Sequence, residues 1–147
     1  MSQPLRFALV GAGTMGSLHA RVISQNPDTE LVYLVDPREA VGREVAARFG
    51  ATWLPELPSL TEVDAVVVAA ATEAHYSLAT QVLEGDTALL VEKPVADSLS
   101  ETEELLSLAD ARDLPMMCGL LERFNPAVRT AMTILEDPIH VVATRHS

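Results

Sequence analysis

Short apolar runs alternate with longer amphipathic segments along most of the chain. Because the runs are apolar at consecutive positions, they are typical of strands buried on both faces of a parallel sheet. The predicted strands are Leu5–Val10, Leu31–Val35, Ala65–Ala71, Ala88–Val91 and Met116–Cys118.

The segments between the runs carry helical spacing and signals for helix ends. One of them ends at Gly50, a second opens with the capping-box pair Ser98 and Glu101, and a third opens at Asn125 before a proline. Their apolar stripes are Val41, Val45 and Phe49, then Leu99, Thr102, Leu105, Leu106 and Ala109, then Val128, Ala131, Ile134 and Leu135. Strands that alternate with helices predict an α/β fold with a doubly wound parallel sheet and right-handed crossovers.

The end of the chain suggests a domain boundary. Ile139–Thr144 has the pattern of a strand, and the sequence stops soon afterwards at Ser147. We therefore expect residues 1–138 to form one domain and residues 139–147 to begin a truncated second domain. The alternative is a final edge strand of the same sheet.

Composition excludes several classes of protein. A chain of 147 residues with 10 Lys and Arg against 21 Asp and Glu has a formal charge of −11, which argues against binding to nucleic acid. No apolar run approaches the roughly 20 residues of a membrane span, and the first residues do not resemble a secretory signal. Cys118 is the single cysteine, so no internal disulfide can form. We expect a cytoplasmic protein without nucleic-acid or membrane partners.

A glycine-rich turn follows the first predicted strand and opens a helix. Its GxGxxG pattern is Gly11-Ala12-Gly13-Thr14-Met15-Gly16. The first glycine permits a tight turn, the second allows close approach of a pyrophosphate, and the third allows the helix to pack closely on the strand. The helix N-terminus offers free N–H groups to the anion. This context favours a dinucleotide site over a merely structural turn.

Asp36 stands at the end of the second predicted strand, 20 residues beyond Gly16. An acid there accepts hydrogen bonds from a ribose diol and repels a 2′-phosphate, so NAD is favoured over NADP. Arg38 weakens this preference because a guanidinium can bind a 2′-phosphate, and its alternative role is that of an exposed arginine at a helix start.

Further candidates follow the later predicted strands, at the sheet edge where such folds bind ligands. Lys93, the only lysine, is suited to donate a proton or to stabilise an alkoxide; its alternatives are an ion pair with Glu92 or a surface charge. Pro94 is a candidate for a cis bond. His75 could contact the nicotinamide ribose or simply pack, and Arg123 could meet an anionic or hydroxyl-rich ligand. No His, Cys and Asp cluster has metal-ligand spacing.

Taken together, these motifs resemble the family of glucose–fructose oxidoreductase, inositol dehydrogenase and the MocA protein. The resemblance runs in order through the glycine turn, Asp36, ATEAHY, VEKP and ERFNP. It implies a Rossmann domain followed by an α/β substrate domain, with Lys93 as the catalytic lysine. It also implies two sets of cofactor contacts: Gly11, Gly13, Thr14, Met15, Gly16 and Asp36 along the dinucleotide, and Thr72, His75, Glu92 and Arg123 at its nicotinamide end.

The sequence departs from the family pattern in three respects. Ala70 and Ala71 replace side chains that relatives often place before the histidine, and Leu120 stands where many relatives have a polar residue. The family's aspartate and histidine of a D-x-x-x-H pattern belong to the second domain and have no counterpart here.

These observations predict the NAD-binding, or alternatively NADP-binding, half of a dehydrogenase. The substrate of the longer protein would be a sugar, sugar nucleotide or cyclitol, and we expect the 147 residues to bind cofactor without turnover. A homo-oligomer is expected only for the longer protein. The alternatives are a non-catalytic dinucleotide sensor, which would not need Lys93, and a methyltransferase with a different glycine-rich turn.

Overall fold

The computed structural model describes residues 3–137, together with His140, Val142 and Thr144, and shows one six-stranded parallel sheet. The strands are β1 Leu5–Val10, β2 Thr29–Val35, β3 Thr52–Leu54, β4 Ala65–Val68, β5 Ala88–Val91 and β6 Met116–Cys118. Their order is β3-β2-β1-β4-β5-β6, and every neighbouring pair is parallel. The predicted doubly wound α/β fold is confirmed.

Among the residues that the structure describes, five helices connect or follow the strands. They are α1 Thr14–Gln25, α2 Glu39–Phe49, α3 Thr72–Glu84, α4 Leu99–Ala111 and α5 Pro126–Ile134, with 3₁₀ turns at Leu60–Glu62 and Leu121–Phe124. The predicted helix ends are confirmed. Gly50 ends α2 in the left-handed region at φ 75°, and Ser98 with Glu101 forms a complete capping box at α4. The side chain of Asn125 accepts a hydrogen bond from the amide of Ala127 at the start of α5.

Apolar side chains fill both faces of the sheet. Alternate residues of β4 point to opposite sides: Val66 and Val68 belong to a core covered by α3 and α4, and Val67 belongs to a core covered by α1 and α2. This two-sided burial explains why the central strand β4 appears in the sequence as an unbroken apolar run.

Several predictions differ from the structure in detail. β3 was not predicted, because three residues at a sheet edge leave little periodic signal. β4 ends at Val68 rather than at Ala71. On α4 only Leu105 and Ala109 of the predicted stripe are buried, and Leu99 is exposed. The predicted stripe of α5 is also exposed, since no residue of that helix is buried in this chain.

The predicted strand Ile139–Thr144, and with it the proposed start of a second domain, falls largely outside the described residues. Within residues 3–137 no helix combines the length and apolar character that crossing a membrane requires.

Candidate functional site

A cleft of about 860 Å³ opens at the carboxyl edge of the sheet, beside β1 and β4. The strand order reverses between these two strands, which is where doubly wound sheets bind their ligands. The lining residues come from the ends of β1, β2 and β4, from the segment after β3 and from α3: Val10, Gly11, Gly13, Val35–Arg38, Pro55–Leu57, Ala69–Ala71, Ala74, Ser77, Leu78 and Gln81.

The three glycines of the turn differ in the atoms that surround them. Gly11 has a φ of +101°, and a Cβ there would overlap the backbone carbonyl of Ala69. A Cβ on Gly16 would overlap the carbonyl oxygen of Gly11. By contrast, a Cβ on Gly13 would meet no atom within 4 Å, because Gly13 faces the open cleft. Gly11 and Gly16 are thus required by the packing of the backbone, and Gly13 keeps space free for something outside the chain.

The N-terminus of α1 is suited to an anion. No side chain caps the helix at Gly13, and its first turn contains no acidic residue. The first N–H groups of an α-helix lack partners within the helix and carry a partial positive charge. The open space at Gly13 lies at the same place, so the backbone fits the pyrophosphate of a dinucleotide.

Asp36 also lines the cleft, directly after β2 and next to the glycine turn, and is only 2% exposed. Its Oδ2 accepts the amide of Ala12 at 2.7 Å, and its Oδ1 accepts the amide of Arg38 at 2.9 Å. The Arg38 guanidinium donates to both oxygens, at 3.0 and 2.8 Å. Burial by itself raises the pKa of Asp36, but the hydrogen bonds from Arg38 and Ala12 outweigh it and bring the pKa below its usual value. Asp36 is therefore an anion, and the Arg38 guanidinium binds both of its carboxylate oxygens.

Lys93 lies at the end of β5, outside the residues that line the cleft. Its side chain is exposed and forms no hydrogen bond or ion pair with the described part of the chain. The alternative pairing of its ammonium with Glu92 is thus absent there. The bond between Lys93 and Pro94 is cis, as the sequence suggested.

His75 lies near the start of α3 and is buried. Its side chain is in the first turns of α3 but only 1% exposed, and both ring nitrogens contact backbone carbonyls, of Pro94 at 2.7 Å and of Ala70 at 3.1 Å. In this structure His75 joins the start of α3 to the Lys93–Pro94 loop, and its contact with a nicotinamide ribose stays a prediction.

Glu92 is also buried, and its expected contact at the nicotinamide end stays a prediction. It is 5% exposed, and its Oε1 lies 2.8 Å from Nε2 of His19 on α1. Sequence reasoning missed His19, because the two residues are 73 positions apart and share no local pattern.

The remaining candidates lie along the carboxyl edge of the sheet, and no contact in the described chain assigns them a role. Thr14 and Met15 form the first turn of α1, Thr72 begins α3, and Arg123 is exposed in the Leu121–Phe124 turn. Their cofactor contacts stay predictions.

The pKa of the Cys118 thiol is raised, first by burial and then by the nearby Glu92 carboxylate. A raised pKa is typical of an unreactive cysteine.

Most of the chain matches a known protein family. Residues 5–120 match the model of the Gfo/Idh/MocA oxidoreductase family, which has an NAD-binding Rossmann fold. The chain belongs to this family. The match covers the glycine turn, Asp36 and the Glu92-Lys93-Pro94 segment, so the family resemblance of the motifs is confirmed.

Members of the family with known names are similar over most of this chain. Inositol 2-dehydrogenase of Rhizobium meliloti (strain 1021) is 29% identical over 90% of the chain, and UDP-N-acetylglucosamine 3-dehydrogenase of Acidithiobacillus ferrooxidans is 28% identical over 85%. The crystal structure of GenD2 from gentamicin A biosynthesis, in complex with NAD, superposes with a TM-score of 0.89 and 34% identity over 93% of the chain. The chain spans only 41%, 40% and 40% of these three proteins, respectively.

Proposed function

We propose that this chain is the NAD-binding part of an oxidoreductase that oxidises a hydroxyl-bearing carbon of a sugar, sugar nucleotide or cyclitol. The observation that carries the proposal is a cleft lined both by the open backbone at Gly13 and by the buried Asp36 carboxylate. A pyrophosphate bound at the N-terminus of α1 would explain the open backbone at Gly13. A ribose diol bound to Asp36 would explain the buried carboxylate. The named dehydrogenases among the relatives support the substrate class.

The roles of the residues follow from their positions. The α1 N-terminus would hold the pyrophosphate, and Asp36 would accept the adenosine diol once Arg38 moves aside. Bound nicotinamide would supply the hydride acceptor. Lys93, whose ammonium has no partner among the described residues, would hold the substrate oxygen and relay its proton. Thr72 and Arg123 would contact the nicotinamide side.

We also propose that residues 1–138 form the dinucleotide-binding domain and residues 139–147 begin a substrate domain. Apolar side chains of α5 are exposed, such as Met132 at 70% and Ile134 at 72%. This exposure supports the proposal that a further part of the protein packs against α5. Without a substrate domain the cleft can neither exclude water nor orient a substrate, so we expect cofactor binding without turnover. Oligomer formation and a cytoplasmic location remain predictions.

Replacement of Lys93 tests the enzymatic role. In a protein that carries this chain with its substrate domain, Lys93→Ala is expected to lower kcat about 100- to 10,000-fold, because the proton relay is lost. The dissociation constant of NADH is expected to change little. Steady-state kinetics and a fluorescence titration provide the two values. Wild-type turnover that is unaffected by Lys93→Ala would favour a sensor instead.

Arg38 is expected to set the preference between the two dinucleotides. Arg38→Ala removes the guanidinium that would bind a 2′-phosphate and at the same time uncovers Asp36. We expect NADPH affinity to fall about 10- to 100-fold relative to NADH affinity. Parallel titrations measure this ratio.

Arg43→Ala is the matched control for Arg38→Ala. The Arg43 guanidinium stacks on Trp53, 4.4 Å from the ring centroid, and does not contact Asp36. If both variants change the ratio equally, Arg38 has no specific role in the selection.

A further inference from the structure

Glu92 is a buried carboxylate that the proposed cofactor contacts leave unexplained. Its side chain is 6% exposed, and its position is directly after β5. A buried carboxylate is costly unless it is hydrogen-bonded. Its Oε1 lies 2.8 Å from Nε2 of His19, and the two atoms share a hydrogen bond. Strand β5 and helix α1 are thereby joined by a side-chain contact.

The second carboxylate oxygen acts on the neighbouring residue. Oε2 of Glu92 accepts the backbone N–H of Lys93 at 3.2 Å. The hydrogen bond restrains the backbone at Lys93, and the Lys93 side chain remains exposed. The position of the Lys93 backbone thus depends on where the Glu92 carboxylate is held.

Gly119 leaves the space in which that carboxylate lies. It follows β6, and its amide donates to the carbonyl of Val91 at 2.8 Å. A Cβ on Gly119 would come within 2.7 Å of both Cδ and Oε2 of Glu92. The colliding atoms are the far end of a side chain rather than backbone. An alanine would therefore displace the carboxylate without blocking the fold.

We propose that Glu92 is a positioning residue for Lys93, held in place by His19 and by the space at Gly119. His19 is on α1, the helix whose N-cap residue, Gly13, lines the cleft. The pair therefore fixes the lysine relative to the helix that would bind the pyrophosphate. This inference rests on the proposed function, because it concerns the lysine of that site.

The single lysine makes a direct test possible. Labelling the 147-residue chain with ¹⁵N-lysine gives one backbone amide signal, that of Lys93. We expect His19→Ala and Gly119→Ala each to shift this signal and to speed hydrogen exchange of the amide about tenfold, because the charge-assisted hydrogen bond from Lys93 is weakened. His19→Gln keeps an N–H donor and is expected to restore much of the protection.

Arg21→Ala is the control, because Arg21 is exposed on the same helix. It should leave the Lys93 signal unchanged. Unchanged exchange in both His19→Ala and Gly119→Ala would overturn the proposal, and so would an equal change in Arg21→Ala. The measurement needs no dinucleotide, so its failure differs from a failure of the same sample to bind NADH, which would count against the proposed function.

Kinetics of the longer protein test the consequence. His19→Ala and Gly119→Ala are expected to lower kcat about 10- to 100-fold through misplacement of Lys93, with the NADH dissociation constant nearly unchanged. A kcat equal to that of the wild type in both variants would overturn the positioning role. An absence of turnover in the wild type would instead refute the proposed enzyme.

Discussion

Replacing Gly16 with alanine is expected to destabilise the domain by about 3 kcal/mol, a large part of the stability of a domain this size. The added Cβ would overlap the carbonyl oxygen of Gly11, and both atoms belong to tightly packed backbone. Neither can rotate away as a side chain would, so β1 and α1 must separate. Thermal unfolding is expected to shift downward by about 6–12 °C.

The measurement for Gly16→Ala is circular dichroism during heating, together with unfolding in urea. Alanine is otherwise a better helix former than glycine, so helix propensity alone would raise stability. A variant that unfolds at the wild-type temperature would show that α1 and β1 do not approach as closely as the structure indicates.

Replacing Gly13 with alanine is expected to leave the fold intact and to weaken NADH binding about 10- to 100-fold. Gly13 has a φ of −72°, which alanine adopts without strain, and its Cβ would meet no atom of the described chain within 4 Å. The methyl group would occupy the space that the pyrophosphate needs, so hydrogen bonds from the first turn of α1 would be lost.

Gly13→Ala and Gly16→Ala are matched controls for each other, since each adds the same methyl group three residues apart in one turn. The account expects loss of binding with stability kept in the first and loss of stability in the second. If Gly13→Ala binds NADH as tightly as the wild type, the pyrophosphate does not rest on this turn.

Much of the fold could be predicted because its signals are local. Each central strand is buried on both faces, so Ala65–Val68 shows as an apolar run. Gly50, Ser98 and Asn125 mark helix ends by the chemistry of capping. The glycine turn and Asp36 could also be placed together, because strand ends meet at one edge of a parallel sheet.

What could not be predicted depends on packing between distant segments. The position of His75 at the start of α3 fits either a cleft or a core, and only the carbonyls of Ala70 and Pro94 decide for the core. Glu92 and His19 meet although they are 73 positions apart, and no local spacing reveals this contact. Similarly, Arg38 precedes α2 as an ordinary surface residue would. Its hydrogen bonds to the Asp36 carboxylate are visible only in the structure.

Isothermal titration calorimetry of NADH into the folded 147-residue chain tests the central claim most directly. The account predicts saturable binding of one NADH per chain, weakened in Gly13→Ala. An absence of saturable heat from a chain whose circular dichroism shows the expected α/β fold would contradict it.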